Sequence, residues 1–177
     1  MSEMRSRVEL RPLTLSDQDE FCSLVQASTE LHLPWMQLPA TAAEFQVWMR
    51  RFDDGTNLGF LIRVRETGAA AGTVNINSII RGRYQGASLG YAAFAPSAGQ
   101  GYMTEGLTVV LQHAFTDLRL HRLEANIQPA NEASLALARR LGFRYEGLSR
   151  AYLYIDGAWR DHERWAITYE NRLQEQR

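Results

Sequence analysis

The sequence predicts a mixed α/β fold: a central, mostly antiparallel sheet of about seven strands flanked by helices. Three observations carry this. Two capped helical runs follow a first strand, three β-rich runs joined by short turns come next, and a β-α-β-α order then leads into a closing hairpin. At 177 residues the chain reads as one domain, residues 1–177, long enough for a sizeable core. Hydrophobic residues make up 45% and charged residues 22%, which is globular composition.

Taken in order, Val8 to Leu13 reads as the first strand. Ser16 with Asp19 reads as a helix start, and Pro34 ends that helix. Thr41 and Glu44 form an S/T-x-x-E capping box, opening a helix through Phe45, Val47, Trp48 and Met49 that Gly55 closes. Between the two helices lies the apolar connection Leu31 to Met36. Its His32 and Trp35 are a core plug or one wall of a substrate cleft.

Phe60 to Arg65 and Gly72 to Ile80, separated by Glu66-Thr67-Gly68, read as a hairpin, and Ser88 to Phe94 adds a strand after the Arg81-Gly82-Arg83 turn. The helix opening at Gly101 carries Leu107, Val110, Leu111 and Phe115 as one apolar stripe. His121 to Ile127 alternates as a strand that Pro129 breaks. Asn131 then caps a helix whose Leu135, Leu137 and Leu141 face inward before Gly142 stops it. Phe143 to Ile155 and Trp159 to Tyr169 are joined by Asp156-Gly157, a hairpin turn, and the last residues are polar and expected to fray.

Several function classes fall away on composition. No apolar run approaches the ~20 residues of a membrane helix. The polar stretch Met1 to Arg7 has no apolar core behind it, so no secretory signal and a cytoplasmic location are expected. A lone Cys22 allows neither an internal disulfide nor a metal cluster, and no metal site is expected. A net charge of −1 gives no electrostatic case for nucleic-acid binding. Lys is absent, so the 19 basic residues are all Arg and the P-loop pattern cannot form.

The turn Gly99-Gln100-Gly101-Tyr102-Met103-Thr104-Glu105-Gly106 follows a strand and opens a helix. Glycines let the backbone approach a ligand closely, and the first helical N–H groups, with the positive end of the dipole, favour an anion. The same pattern also serves as an ordinary helix cap.

This turn resembles the acetyl-CoA pyrophosphate loop of the GNAT acetyltransferases, Q/R-x-x-G-x-G/A, laid over Ala98 to Met103. Ala98 and Met103 depart from it. Asn131-Glu132-Ala133-Ser134, then Leu141-Gly142-Phe143 and Glu146-Gly147, resemble the second half of the family signature at the family's spacing. From roughly Gly72 to Ala166 the chain is most similar to the RimJ/RimL-type branch, and within it to the RimJ type. Ile80-Arg81-Gly82, Ala138 to Phe143 and Ile155 to His162 carry that likeness.

The resemblance implies a three-layer GNAT fold and acetyl-CoA as acetyl donor. It also implies direct transfer in a ternary complex to an amine, foremost a protein N-terminal α-amine such as that of a ribosomal protein. Ala93, Phe94, Gly99, Gln100, Gly101, Tyr102, Met103, Thr104 and Asn131 are the implied donor-binding residues, with oxyanion donors among the backbone N–H groups at the end of the Tyr91 to Phe94 strand. Ser134 is the candidate proton donor to the departing thiolate, with Tyr152 and Tyr154 next. For the base, RimL-type relatives carry a carboxylate where Leu153 stands here. That leaves Glu124 acting through water, Glu105, or the Asp161-His162 pair.

His32, Trp35, Tyr152 and His162 are the acceptor-side candidates. An α-amine of pKa ~8 needs less help from a base than a lysine at ~10.4, which favours N-terminal acceptors. The alternatives are a small amine or antibiotic as acceptor, or an acyl-CoA-binding module without catalysis, which Ala98 and Leu153 would fit. The expected assembly is a monomer or homodimer.

Overall fold

The structure, a computed structural model, describes residues 6–175. The polar N-terminal stretch thus lies outside the described residues up to Arg5. Seven strands form one sheet in the order β1-β2-β3-β4-β5-β7-β6. Strands β1 (Val8–Pro12), β2 (Leu58–Val64), β3 (Ala70–Ile80) and β4 (Gly86–Ala93) pair antiparallel in succession. Strand β5 (Arg122–Ile127) runs parallel to β4, while β6 (Arg144–Ile155) and β7 (Ala158–Thr168) close the far edge as an antiparallel hairpin.

Helices cover both faces. On one, α4 (Tyr102–Thr116) buries Leu107, Val110, Leu111 and Ala114 completely, and α5 (Glu132–Arg140) adds Leu135 and Ala138. Gly106 sets how close α4 comes, because a Cβ there would collide with the Ile62 side chain of β2. On the other face α1 (Gln18–Ala27), α2 (Thr29–His32) and α3 (Ala42–Met49) enclose a second core of Phe21, Cys22, Val25, Phe45, Leu61 and Phe94. Burial of each large apolar side chain in these two cores is worth ~1.5–3 kcal/mol.

The capping box at Thr41 and Glu44 forms as expected, Glu44 N donating to Thr41 Oγ1 at 3.3 Å and Thr41 N to Glu44 Oε2 at 3.1 Å. Asp156 and Gly157 both hold positive φ, 50° and 72°, the backbone that a two-residue hairpin turn requires. The first helix differs from expectation. Its box is Thr14 with Asp17, opening a 3-10 turn before α1, because Arg11 and Arg63 from the sheet draw the Asp17 carboxylate inward and leave Asp19 outside. It also breaks at Ser28, whose hydroxyl donates back to Leu24 O at 2.6 Å and accepts from Ala95 N at 2.9 Å. The chain end, expected to fray, forms α6 (Tyr169–Glu175), anchored by Tyr169 edge-on to Phe115 and by Glu170 paired with His121.

The feature that positions the site is a divergence. Strands β4 and β5 pair only from Gly86–Arg122 to Leu89–Ala125; beyond that β4 continues on β3 alone and a gap opens.

Candidate active site

Backbone direction in β4 follows from its pairing with β3. Phe94 N donates to Ala71 O at 2.9 Å, and N–H groups alternate along an antiparallel strand, so those of Tyr91 and Ala93 point away from β3 into the gap. A cleft of about 500 Å³ opens there. Its walls are Tyr91 to Ala93, the loop from Ser97 to Thr104, the α2 end with Trp35 and Met36, and the α5 residues Ser134, Leu137 and Arg140. A smaller cavity of about 80 Å³ continues from it, sharing Trp35, Tyr91, Asn131 and Ser134 and adding Asn126, Gln128 and His162.

The loop holds its shape through two glycines in the left-handed region, Gly99 at φ 76° and Gly101 at φ 83°. Gly101 caps α4 with backbone only, so the N–H groups of Tyr102, Met103 and Thr104 have no helical partner. Arg7 clasps the loop from outside: Nη2 donates to Gln100 O at 3.0 Å, Nε to Glu105 Oε1 at 2.7 Å, and the guanidinium stacks 4.7 Å from the Tyr102 ring centre. Those bonds hold the Glu105 carboxyl below the usual carboxylate range and account for its presence there.

On α5, Asn131 Oδ1 accepts from Ser134 N at 3.1 Å, which fixes the first turn. The Ser134 hydroxyl turns to Tyr91 Oη at 2.8 Å. Burial pushes the Tyr91 phenol above its ordinary pKa, more than the bond to Ser134 lowers it, so it stays protonated and can donate.

This arrangement, a strand divergence beside a glycine turn and a capped helix, has known counterparts. Residues 7–144 match the model of the Acetyltransferase (GNAT) domain.

The chain belongs to the GNAT acetyltransferase family.

It is 30% identical over 168 residues to "Probable N-acetyltransferase YjcK" of Bacillus subtilis, covering 90% of this chain and 93% of that one. It is 39% identical over 97 residues to the [Ribosomal protein uS5]-alanine N-acetyltransferase of Escherichia coli, a match spanning 55% of this chain and 50% of that protein. Among solved structures, RimJ of Mycobacterium smegmatis in complex with CoA-disulfide superposes with a TM-score of 0.84 at 32% identity, covering 92% of this chain and 82% of that one. The protein is an N-acetyltransferase of the RimJ-like GNAT type.

In this GNAT chain the cleft gathers most of the residues singled out in the sequence. His32, Trp35, Ala93, Gly99, Gly101, Tyr102, Met103, Thr104, Asn131 and Ser134 all line it. Met103 turns its thioether onto Gly72 of β3, where a Cβ would collide with it, so a large side chain at this loop position leaves the backbone in place. His32 is buried and donates from Nε2 to Ala93 O at 2.8 Å, tying α2 to the strand end. His162 lines the smaller cavity; Tyr152, an expected acceptor-side residue, lines neither it nor the cleft and is exposed, its ring centre 6.0 Å from that of His162.

Three expectations need correction. Phe94 offers the cleft nothing: its N–H is taken by Ala71 and its ring lies wholly inside the second core. Gln100 is absent from the cleft lining, its side chain lying against Pro96 O at 3.5 Å. Glu124, expected as a base acting through water, lines neither the cleft nor the smaller cavity; its Oε1 accepts from Tyr84 Oη and Arg122 Nε, both at 2.9 Å, within an ion-pair group that includes Glu146. Sequence reasoning also missed two cleft residues. Tyr91 was legible only as a strand residue, since its partner Ser134 is 43 positions away. Arg140, which reaches Thr104 Oγ1 at 3.3 Å beside the loop, was hidden in an ordinary basic helix end.

Proposed function

We propose that this enzyme acetylates the N-terminal α-amine of a protein, a ribosomal protein foremost, by direct transfer from acetyl-CoA. The observation that carries the reading is the chemistry of the cleft lining: among the described residues, no Asp or Glu lines the main cleft, the cavity below it, or the neighbouring pocket of about 150 Å³ on the α3 side. A polycationic amine calls for carboxylates to replace its lost hydration, whereas a single α-amine of pKa ~8 does not. The likeness to the uS5-alanine enzyme supports the same acceptor class.

In this reading the loop N–H groups of Tyr102 to Thr104 and the Arg140 guanidinium hold the donor's phosphates. The gap-facing N–H groups of Tyr91 and Ala93 take the thioester oxygen as charge develops on it. Ser134, hydrogen-bonded to Tyr91, protonates the departing sulfur. The donor fits these groups, since the positive-φ glycines leave the loop backbone bare on the cleft side.

The test is an acceptor panel with purified protein. Peptides with free N-terminal Ala or Ser are expected to be acetylated with kcat/KM at least tenfold above spermidine and small aminoglycoside amines. Turnover confined to small amines would sink the protein-acceptor reading.

A further inference from the structure

Beyond the donor cleft, one cluster of unused lone pairs stands out, and its placement follows from the sheet register. Asn75 of β3 pairs with Gly90 of β4, and Leu89 pairs with Ala125 of β5, so Asn126 comes level with Gly90 on the other side of the gap. Residues level with each other on neighbouring strands point to the same face. Gly90 puts no side chain between the two asparagines. Asn75 Oδ1 and Asn126 Oδ1 are both buried without a hydrogen-bond partner, and Asn75 is only 6% exposed. Their cavities meet, sharing Met36, Gly90 and Tyr91.

His162 belongs to the same face. Asn126 pairs with Arg164 of β7, and His162 lies two residues away, lining the cavity with Asn126. Its Nδ1 lies 3.0 Å from Arg160 O, and a carbonyl only accepts, so Nδ1 carries the proton and Nε2 carries the lone pair. No described residue bonds Nε2.

We propose that Asn75, Asn126 and His162 form the acceptor-amine site, the two amide oxygens holding the amine and His162 Nε2 removing its proton. The proposal rests on the acetyl-transfer reading above and names the acceptor side of the same site. Buried, unsatisfied acceptors are costly unless a ligand supplies donors, and an amine supplies up to three N–H groups. The α-ammonium gives one proton to Nε2, its freed lone pair forms the N–C bond, and the C–S bond breaks with its electrons on sulfur. The amine's second proton replaces the one that Ser134 gives to sulfur, so the net proton released is the one on His162.

The groups facing His162 are consistent with a neutral imidazole. Tyr152 approaches from β6, Ser149 lies opposite in register, and Gln128 and Ser134 close the cavity. On its own strand stand Arg160, Asp161 and Arg164. Burial pushes the imidazole below its ordinary pKa; the Arg160 carbonyl and the Asp161 charge pull it back only in part.

The experiment is acetylation of an N-terminal Ala peptide from pH 6 to 10 by wild type, His162→Gln, Asn75→Ala and Asn126→Ala, with acetyl-CoA affinity and melting temperature measured alongside. His162→Gln is expected to lose about 100-fold in kcat/KM at pH 7, the loss shrinking as pH passes the α-amine's own pKa of ~8. Each Asn variant is expected to raise the peptide KM about tenfold with the acetyl-CoA affinity unchanged. A pH-independent loss in His162→Gln, or an unchanged KM in both Asn variants, overturns the proposal. Should His162→Gln fail to fold, the ring nitrogens of wild-type His162 read by NMR decide: a proton on Nδ1 and a shift of Nε2 on adding peptide support it, and a proton on Nε2 refutes it. Wild-type turnover of the peptide tests the acceptor class separately, and the variants can be compared on whichever amine is acetylated.

Discussion

Ser134 is held from two sides, its N–H by Asn131 and its hydroxyl by Tyr91. A backbone-bonded serine would be unavailable to a ligand; this one faces the cleft, and removing it tests the proton transfer. Ser134→Ala should cut turnover by roughly 10- to 100-fold while leaving acetyl-CoA affinity near wild type, as followed by thiol release and calorimetry. Wild-type turnover in that variant would move the proton donor elsewhere. Gly101 is a second residue with a local reason. A side chain there meets φ 83° and an Arg7 Nη2 only 3.3 Å from the new Cβ. Gly101→Val should therefore carry ~1–3 kcal/mol of strain and weaken acetyl-CoA binding at least tenfold. Both residues were legible because motif and mechanism sit on the same few positions. Phe94 was not, since whether a strand N–H faces a ligand or a neighbour depends on a partner that the local sequence does not show.

Among the elements, the start of α1 has the most informative ending. Two S/T-x-x-D patterns overlap in the sequence, and the sheet chooses between them by offering Arg11 and Arg63 to Asp17. Burial alone would raise the Asp17 pKa; the Arg11 and Thr14 hydrogen bonds outweigh it and hold the carboxyl below its ordinary range. The charged form is the stabilising one, so its contribution is complete above the unfolded carboxylate pKa of ~3.9 and is lost as pH falls through the lower folded value. Asp17→Asn should cost roughly 2–4 kcal/mol at pH 7, and urea melts of variant and wild type should converge as pH falls through the lowered carboxyl pKa of the folded state. The box at Thr41 and the turn at Asp156-Gly157 needed no tertiary information, because their partners lie within four residues.

For the whole molecule, the three-layer arrangement was implied only by the family resemblance, while strand number and the order of the four longer helices were readable from periodicity and punctuation; the short α2 and the terminal α6 were not. The spatial order was not: that β7 lies between β5 and β6, and that Asn75, Asn126 and His162 share one face, follows from register over long sequence separations. The sheet is in effect two half-sheets joined along four residue pairs. A donor bound at that seam should stabilise the fold by about 2.7 kcal/mol at 100 times its Kd, seen as a rise in melting temperature.

The diverging strand β4 also carries two populations of amide hydrogen. Those of Ala92 and Phe94 are locked against β3, whereas those of Tyr91 and Ala93 face the gap. In deuterated buffer the first pair should exchange slowly whether or not acetyl-CoA is present, and the second pair should slow only when it is added. Alternate residues of one strand would then report separately on the scaffold and on the reaction.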